Sequence, residues 1–108
     1  MGVRQGLAPS RLIHRVIIRP EARRDLNEAT AWYASISVEL KNDFVRRVDD
    51  AVAIVRERPL AFQIVHRTFR RVLLHRFPYS LFYHVGDERI IIVAVLHQAR
   101  DPRVLETR

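Results

Sequence analysis

The spacing of apolar residues changes once along this chain, from a helical repeat before Pro59 to strand-like runs after Phe69, and this change limits the folds open to it. Ala22, Leu26, Ala29 and Tyr33 recur at helical spacing and make one apolar stripe over residues 20–35, with Asp25 and Glu28 on the other side. Pro20 followed by Glu21 marks the start, because the missing proline N–H would lack a partner in the first helical turn anyway. Leu40, Phe44, Val48, Ala51, Val52 and Val55 form a second stripe, in a helix expected to run to about Arg58 and to end at Pro59. Ser35 or Ser37 is placed to cap this helix, and Glu39 in its first turn suits the helix dipole. So short a link makes the pair an antiparallel hairpin.

The β-branched run Val16, Ile17, Ile18 reads as a first strand over His14–Arg19. Beyond Phe69, three more strands are expected: Arg70–Phe77, Tyr79–Val85 and Glu88–His97, with Pro78 breaking the first two and Gly86–Asp87 turning into the third. The last run is apolar at both parities, as in a central strand covered on both faces. The expected fold is therefore α+β: an N-terminal strand, then an antiparallel helical hairpin packed on a small antiparallel sheet of about four strands. Residues 13–108 are expected to form this single domain, and residues 1–12 a flexible basic tail.

Apolar residues make up 48% and charged residues 29%, a globular balance that needs no disulfides. The chain has no cysteine, which removes thiolate nucleophiles and cysteine zinc sites and agrees with a cytoplasmic location. The longest apolar run, Ile90–Leu96, is far shorter than the roughly 20 residues of a membrane-spanning helix. The net charge of +7 is unevenly spread: residues 1–20 carry four arginines and no acid, and residues 59–108 carry eight basic residues against four acidic ones. Eighteen of the nineteen basic residues are arginine, whose planar fork suits phosphate and carboxylate, although a GC-rich coding sequence gives the same bias.

Glycine-rich phosphate loops, Gly-x-Ser-x-Gly elbows and His-Glu-x-x-His pairs are absent, so no nucleotide cofactor is expected. His66, His75, His84 and His97 lack the i, i+2 or i, i+4 spacing of a metal site, so no metal is expected either. The densest block is Arg70-Arg71-Val72-Leu73-Leu74-His75-Arg76-Phe77-Pro78-Tyr79, followed by Leu81-Phe82-Tyr83 and later by His97-Gln98-Ala99-Arg100-Asp101-Pro102.

With the Trp32-Tyr33 helix and the Pro59 terminator, these segments resemble the RelE/ParE superfamily of type II toxin–antitoxin toxins, over residues 16 to about 104. The resemblance implies a toxin silenced by a cognate antitoxin, an acidic partner with a DNA-binding N-terminus whose capture an arginine-rich surface would speed. It also offers two mechanisms. RelE-like members cut ribosome-bound mRNA without a metal, which here would draw on His75 or His97 as acid or base and on Arg71, Arg76 and Arg100 over the charged phosphorane. After Arg100 this chain lacks the Tyr or His common in those nucleases, and its one lysine, Lys41, lies on a helix. ParE-like members block DNA gyrase by binding, and the long second helix, the Arg-Phe-Pro-Tyr run and the His97-x-x-Arg100 ending resemble that branch more closely. An inactive relative that only binds a partner is the third reading.

The residues expected to meet a partner or target are Trp32, Tyr33, Arg71, Arg76, Tyr79, Tyr83 and Arg100; the nuclease alternative would use His75, Arg76, His97 and Arg100. Simpler roles stand beside these. Phe77, Tyr79, Leu81, Phe82 and Tyr83 suit a sheet core, and Trp32 could cover one end of it. Arg70 and Arg71 point to opposite faces of a strand, so at most one of them joins Arg76 in a shared patch and the other is left to solvent, and Arg76 shares a face with Val72 and Leu74. His97 could serve only a neighbouring carbonyl, Arg100 could pair with Asp101, and Asp101-Pro102 reads as a turn.

Overall fold

The computed structural model describes residues 15–108, so the basic tail expected over residues 1–12, and His14 at the start of the first expected strand, lie outside it. Strand β1 (Arg15–Ile18) leads through Arg19 into helix α1 (Pro20–Ala34), which turns back through helix α2 (Val38–Glu57). Then come β2 (Ile64–His66), β3 (Phe69–Leu73), β4 (Tyr79–Gly86), β5 (Arg89–His97) and a short 3-10 helix (Pro102–Thr107). The sheet has five strands in the order β1-β5-β4-β3-β2, antiparallel throughout except that β1 runs parallel to β5.

Local chemistry sets the helix ends. Pro20 occupies the first turn of α1. Of the two candidate caps for α2, Ser37 is the one used: its hydroxyl oxygen accepts from the Leu40 N–H at 3.0 Å, while the Ser35 hydroxyl donates to the Trp32 carbonyl. The apolar stripes of both helices cover one face of the sheet, where Ala22, Ala29, Phe44, Val48, Ala51 and Val55 meet Val72, Leu81, Tyr83, Ile90, Ile92 and Val95. On the opposite face, Phe69, Phe82, Val93, Ala94 and Leu96 form a second cluster under Leu105 and Val104 of the 3-10 helix. The central strand β5 is thus apolar at both parities because both of its faces are covered.

One residue in β5 changes the alternation. Phe82 pairs with Ala94 but Tyr83 pairs with Ile92, which leaves Val93 as the extra residue of a β-bulge. Ile90 and Ile92 therefore face the helices before the bulge and Val95 after it, while Val93 and Ala94 both join the opposite cluster.

Three sequence expectations are corrected here. The strand expected over Arg70–Phe77 ends at Leu73: Arg76 has φ 71°, a left-handed conformation incompatible with a strand, and residues 74–78 form a loop. Arg76 accordingly does not share a strand face with Val72. The Gly86–Asp87 turn shifts by one residue, since Gly86 pairs with Arg89 in the ladder and Glu88 takes the positive φ of 54°. Of the arginine pair at the start of β3, Arg71 is the exposed one, while the Arg70 guanidinium donates to the Phe62 carbonyl at 2.6 Å. Finally, β2, in the segment between Pro59 and Phe69, adds a fifth strand to the sheet of about four that was expected.

Candidate functional site: an arginine-lined cleft on the sheet

The face of the sheet away from the helices is only partly covered, and the uncovered part forms a cleft of about 400 Å³. Arg71 and Leu73 of β3, Ser80 and Phe82 of β4, and Leu96 and His97 of β5 line it, and the chain after β5 completes it with Gln98, Arg100 and Pro102. Strand alternation places these residues. Arg71 and Leu73 share parity with Phe69, and Ser80 shares it with Phe82, so all project away from the helices. Leu73 leaves 55% of its surface exposed there.

The end of β5 is shaped by a tight turn. The Arg100 N–H donates to the His97 carbonyl at 2.9 Å, the Gln98 N–H to the Pro78 carbonyl at 2.8 Å, and the Ala99 N–H to His97 Nδ1 at 3.0 Å. A ring nitrogen that accepts from a backbone N–H carries no proton, so the neutral His97 ring holds its hydrogen on Nε2. His97 also meets the Tyr79 ring edge-on, with centroids 5.1 Å apart. Together with Arg100 and Asp25, His97 borders a smaller cavity of about 130 Å³ on the helix side of the same strand end.

The expected Arg100–Asp101 pair does not form. Asp101 accepts from the Arg103 backbone N–H at 2.9 Å and from its guanidinium at 2.7 Å, capping the 3-10 helix. This hydrogen bonding holds the Asp101 carboxyl below its usual range. Among the described residues, neither Arg71 nor Arg100 is paired with a carboxylate, and no acidic side chain lines the larger cleft. The cleft thus joins an apolar floor to two guanidinium groups, with His97 at its rim between this cleft and the helix-side cavity. Such a lining suits an anionic or acidic ligand.

The structure brings Arg71, His97 and Arg100 together, and separates them from other residues singled out in the sequence. Arg76 lies against α2, with Nη1 3.6 Å from the carboxylate of Asp43, which Arg46 and Arg47 also approach. His75 lines a different groove, between α2 and β3, with Arg47, Asp50 and Ile54. Tyr83 is wholly buried and its hydroxyl donates to the Pro59 carbonyl, so its expected contact with a partner is replaced by a core role. Tyr33 is likewise buried, between Phe44 and Phe77 with ring centroids 5.0 Å from each. Tyr79 is half-buried beside them. Trp32 does not cover the core: it is 61% exposed at the end of α1, followed by the exposed Ile36 and Val38.

Sequence reasoning left out Asp25, placed on the outer side of α1. Its side chain is only 9% exposed and forms a two-point ion pair with Arg108, Nη1 to Oδ2 at 2.7 Å and Nη2 to Oδ1 at 3.1 Å. That pairing raises the Arg108 pKa above its usual value. With the partners 83 positions apart in the chain, no local pattern could have shown it.

Among the described residues, no helix is long and apolar enough to cross a membrane, and no group of three or more acidic or histidine side chains is arranged to hold a metal ion. The family profile described as "ParE toxin of type II toxin-antitoxin system, parDE" matches residues 16–102. "Toxin ParE2" of Mycobacterium tuberculosis is 31% identical over 83 residues, 76% of this chain and 79% of that protein. A chain from the chromosomal ParDE TA system of P. aeruginosa superposes with a TM-score of 0.68 at 18% identity, covering 79% of this chain and 96% of its own. A chain from the toxin–antitoxin complex RelBE2 of Mycobacterium tuberculosis gives 0.55 at 20% identity, covering 82% and 95%. At those identities the two structures show a shared fold.

Proposed function

We propose that this chain, which belongs to the ParE toxin family of type II toxin–antitoxin systems, arrests growth by binding DNA gyrase and is held inactive by a cognate antitoxin. The observation that carries the binding reading is the makeup of the cleft. Arg71 and Arg100 stand there without carboxylate partners among the described residues, over the apolar surface of Leu73, Phe82 and Leu96. Unpaired guanidinium groups beside apolar surface are typical of protein recognition sites. Cleavage of RNA would ask for more. It needs one group to take the 2′-hydroxyl proton and another to protonate the leaving oxygen, both within hydrogen-bond reach. Among the residues lining this cleft, His97 is the single imidazole and there is no carboxylic acid, and His75 and Arg76 lie elsewhere.

The antitoxin is proposed to be acidic, for the charge reason above, and to reach the exposed Trp32, Ile36 and Val38 at the end of the helical hairpin as well as the sheet. Trp32→Ala is expected to weaken antitoxin capture without lowering stability.

The test is a supercoiling assay with the purified chain, beside translation of a reporter message on ribosomes. Inhibited supercoiling that the antitoxin relieves, with intact message, is the expected result. Unchanged supercoiling at saturating protein would overturn the gyrase reading, and codon-positioned cuts in the message would replace it with nuclease action. If expression leaves growth unaffected as well, the chain is a binding relative without toxin activity.

A further inference from the structure

We infer that Asp25 and Arg108 are positioning residues for the cleft: their ion pair takes over the hydrogen-bonding edge of β5 where β1 stops, and so fixes the direction in which His97 and Arg100 meet a partner. This inference rests on the reading of the cleft as the contact surface.

Strand β1 pairs with β5 only from Arg89 to Ile92, and the Arg19 N–H makes the last backbone bond between them, to the Ile92 carbonyl at 3.0 Å. Pro20 follows and has no N–H to continue the ladder. The bulge at Val93 begins at the same point. From there, side chains replace the missing strand. The Val95 N–H donates to Asp25 Oδ2 at 3.0 Å, and Arg108 Nη1 donates to the Val93 carbonyl at 3.0 Å while holding the Asp25 carboxylate. Arg19 closes the set, with Nη1 donating to the Arg108 carbonyl oxygen at 2.6 Å.

The arrangement explains why two charged groups are kept at 10% and 9% exposure. Buried charges are costly unless every polar atom finds a partner, and here each charge also satisfies a backbone group that the bulged strand would leave unpaired. Val95 is two residues from His97, and Asp25 lines the small cavity that His97 and Arg100 border. Movement at Val93–Val95 would therefore be passed to the His97–Arg100 turn along one short stretch of backbone. A purely stabilising pair would not need to sit there.

The test uses Asp25→Asn, which keeps the size and an acceptor but removes the charge, and Arg108→Lys, which keeps the charge but lacks the fork that spans Asp25 and Val93 together. Two readouts are taken on each: the amide signal of Ala99 with the ring nitrogen signals of His97 by NMR, and the concentration giving half-inhibition of gyrase supercoiling. Expected are shifted Ala99 and His97 signals, an otherwise wild-type spectrum, and inhibition weaker by about tenfold. The inference is overturned if a folded variant keeps wild-type Ala99 and His97 signals, or shifts them while inhibiting as well as wild type. If Asp25→Asn does not fold, Arg108→Lys decides by the same criteria; failure of both to fold would make the pair a stability element and overturn it too. If the wild-type chain itself does not inhibit gyrase, the functional reading falls and the NMR comparison alone judges positioning.

Discussion

The Tyr83 hydroxyl donates to the Pro59 carbonyl at 2.6 Å, which bonds the middle of β4 to the residue just past the end of α2. Pro59 has no N–H to extend the helix, and its own carbonyl, beyond the helix end, is taken by a buried phenol 24 residues later. One bond thus joins the helical hairpin to the sheet that carries the cleft.

Tyr83→Phe keeps the ring in the core and removes only this donor. It is expected to lower the free energy of unfolding by about 1–3 kcal/mol, because the Pro59 carbonyl loses its partner. Urea denaturation measures this, with the midpoint falling and the m-value unchanged.

Ser37→Ala and Ser35→Ala separate a cap from a neighbour. The Ser37 hydroxyl accepts the Leu40 N–H, and its loss is expected to cost about 1 kcal/mol. Ser35 is exposed and its hydroxyl bonds back to Trp32, so its loss is expected to stay within about 0.5 kcal/mol. Equal effects in denaturation would count against Ser37 as the cap.

Arg71→Ala and Arg100→Ala should act on binding and leave stability within about 0.5 kcal/mol, since both side chains are exposed. Inhibition of supercoiling is expected to weaken for each, and the wild-type difference to shrink as salt rises. Arg76→Ala, against α2 beside Asp43, is the comparison, with a smaller loss expected.

The phenols of Tyr33, Tyr79 and Tyr83 are pushed above their usual value near 10, in each case chiefly because burial disfavours the phenolate. A pKa raised by folding contributes stability that is complete below the unfolded value and is lost as pH rises through the folded one. Stability is therefore expected to be unaffected by these groups at neutral pH and to fall above about pH 10. Ultraviolet titration of phenolate, run beside circular dichroism, should show the buried tyrosines ionising with the loss of structure. Phenols that all titrate at the ordinary value in the folded chain would contradict this.

What the sequence showed and what it hid follow one physical division. The helices, the crossing of their stripes onto a sheet, and the doubly covered last strand were legible because side-chain periodicity is a local property. The loop at Arg76 was not, since Val72 and Leu74 continue a strand alternation that backbone conformation at a single residue interrupts. Strand β2 is three residues long and mostly exposed, too short to leave a periodic trace. The gathering of Arg71, His97 and Arg100 was half legible: Arg71 and the His97-x-x-Arg100 ending stood out as motifs, but Arg76 had equal claim until the loop carried it to the helix side. Asp25 looked like any solvated helix carboxylate because its partner is distant in the chain.

The extra residue at Val93 gives the sheet something like a reading frame. Upstream of it, even-numbered positions of β5 are buried beneath the hairpin; downstream, odd-numbered ones are. Losing the bulge while Val93 stays in the ladder would restore strict alternation and turn every later side chain to the wrong side, sending Leu96 under the helices and Val95 to the cleft. Deleting Val93, by contrast, removes the extra residue and leaves the later side chains on their own faces. Substitutions in this strand act one at a time, whereas a shift of register acts at once on the whole surface it presents.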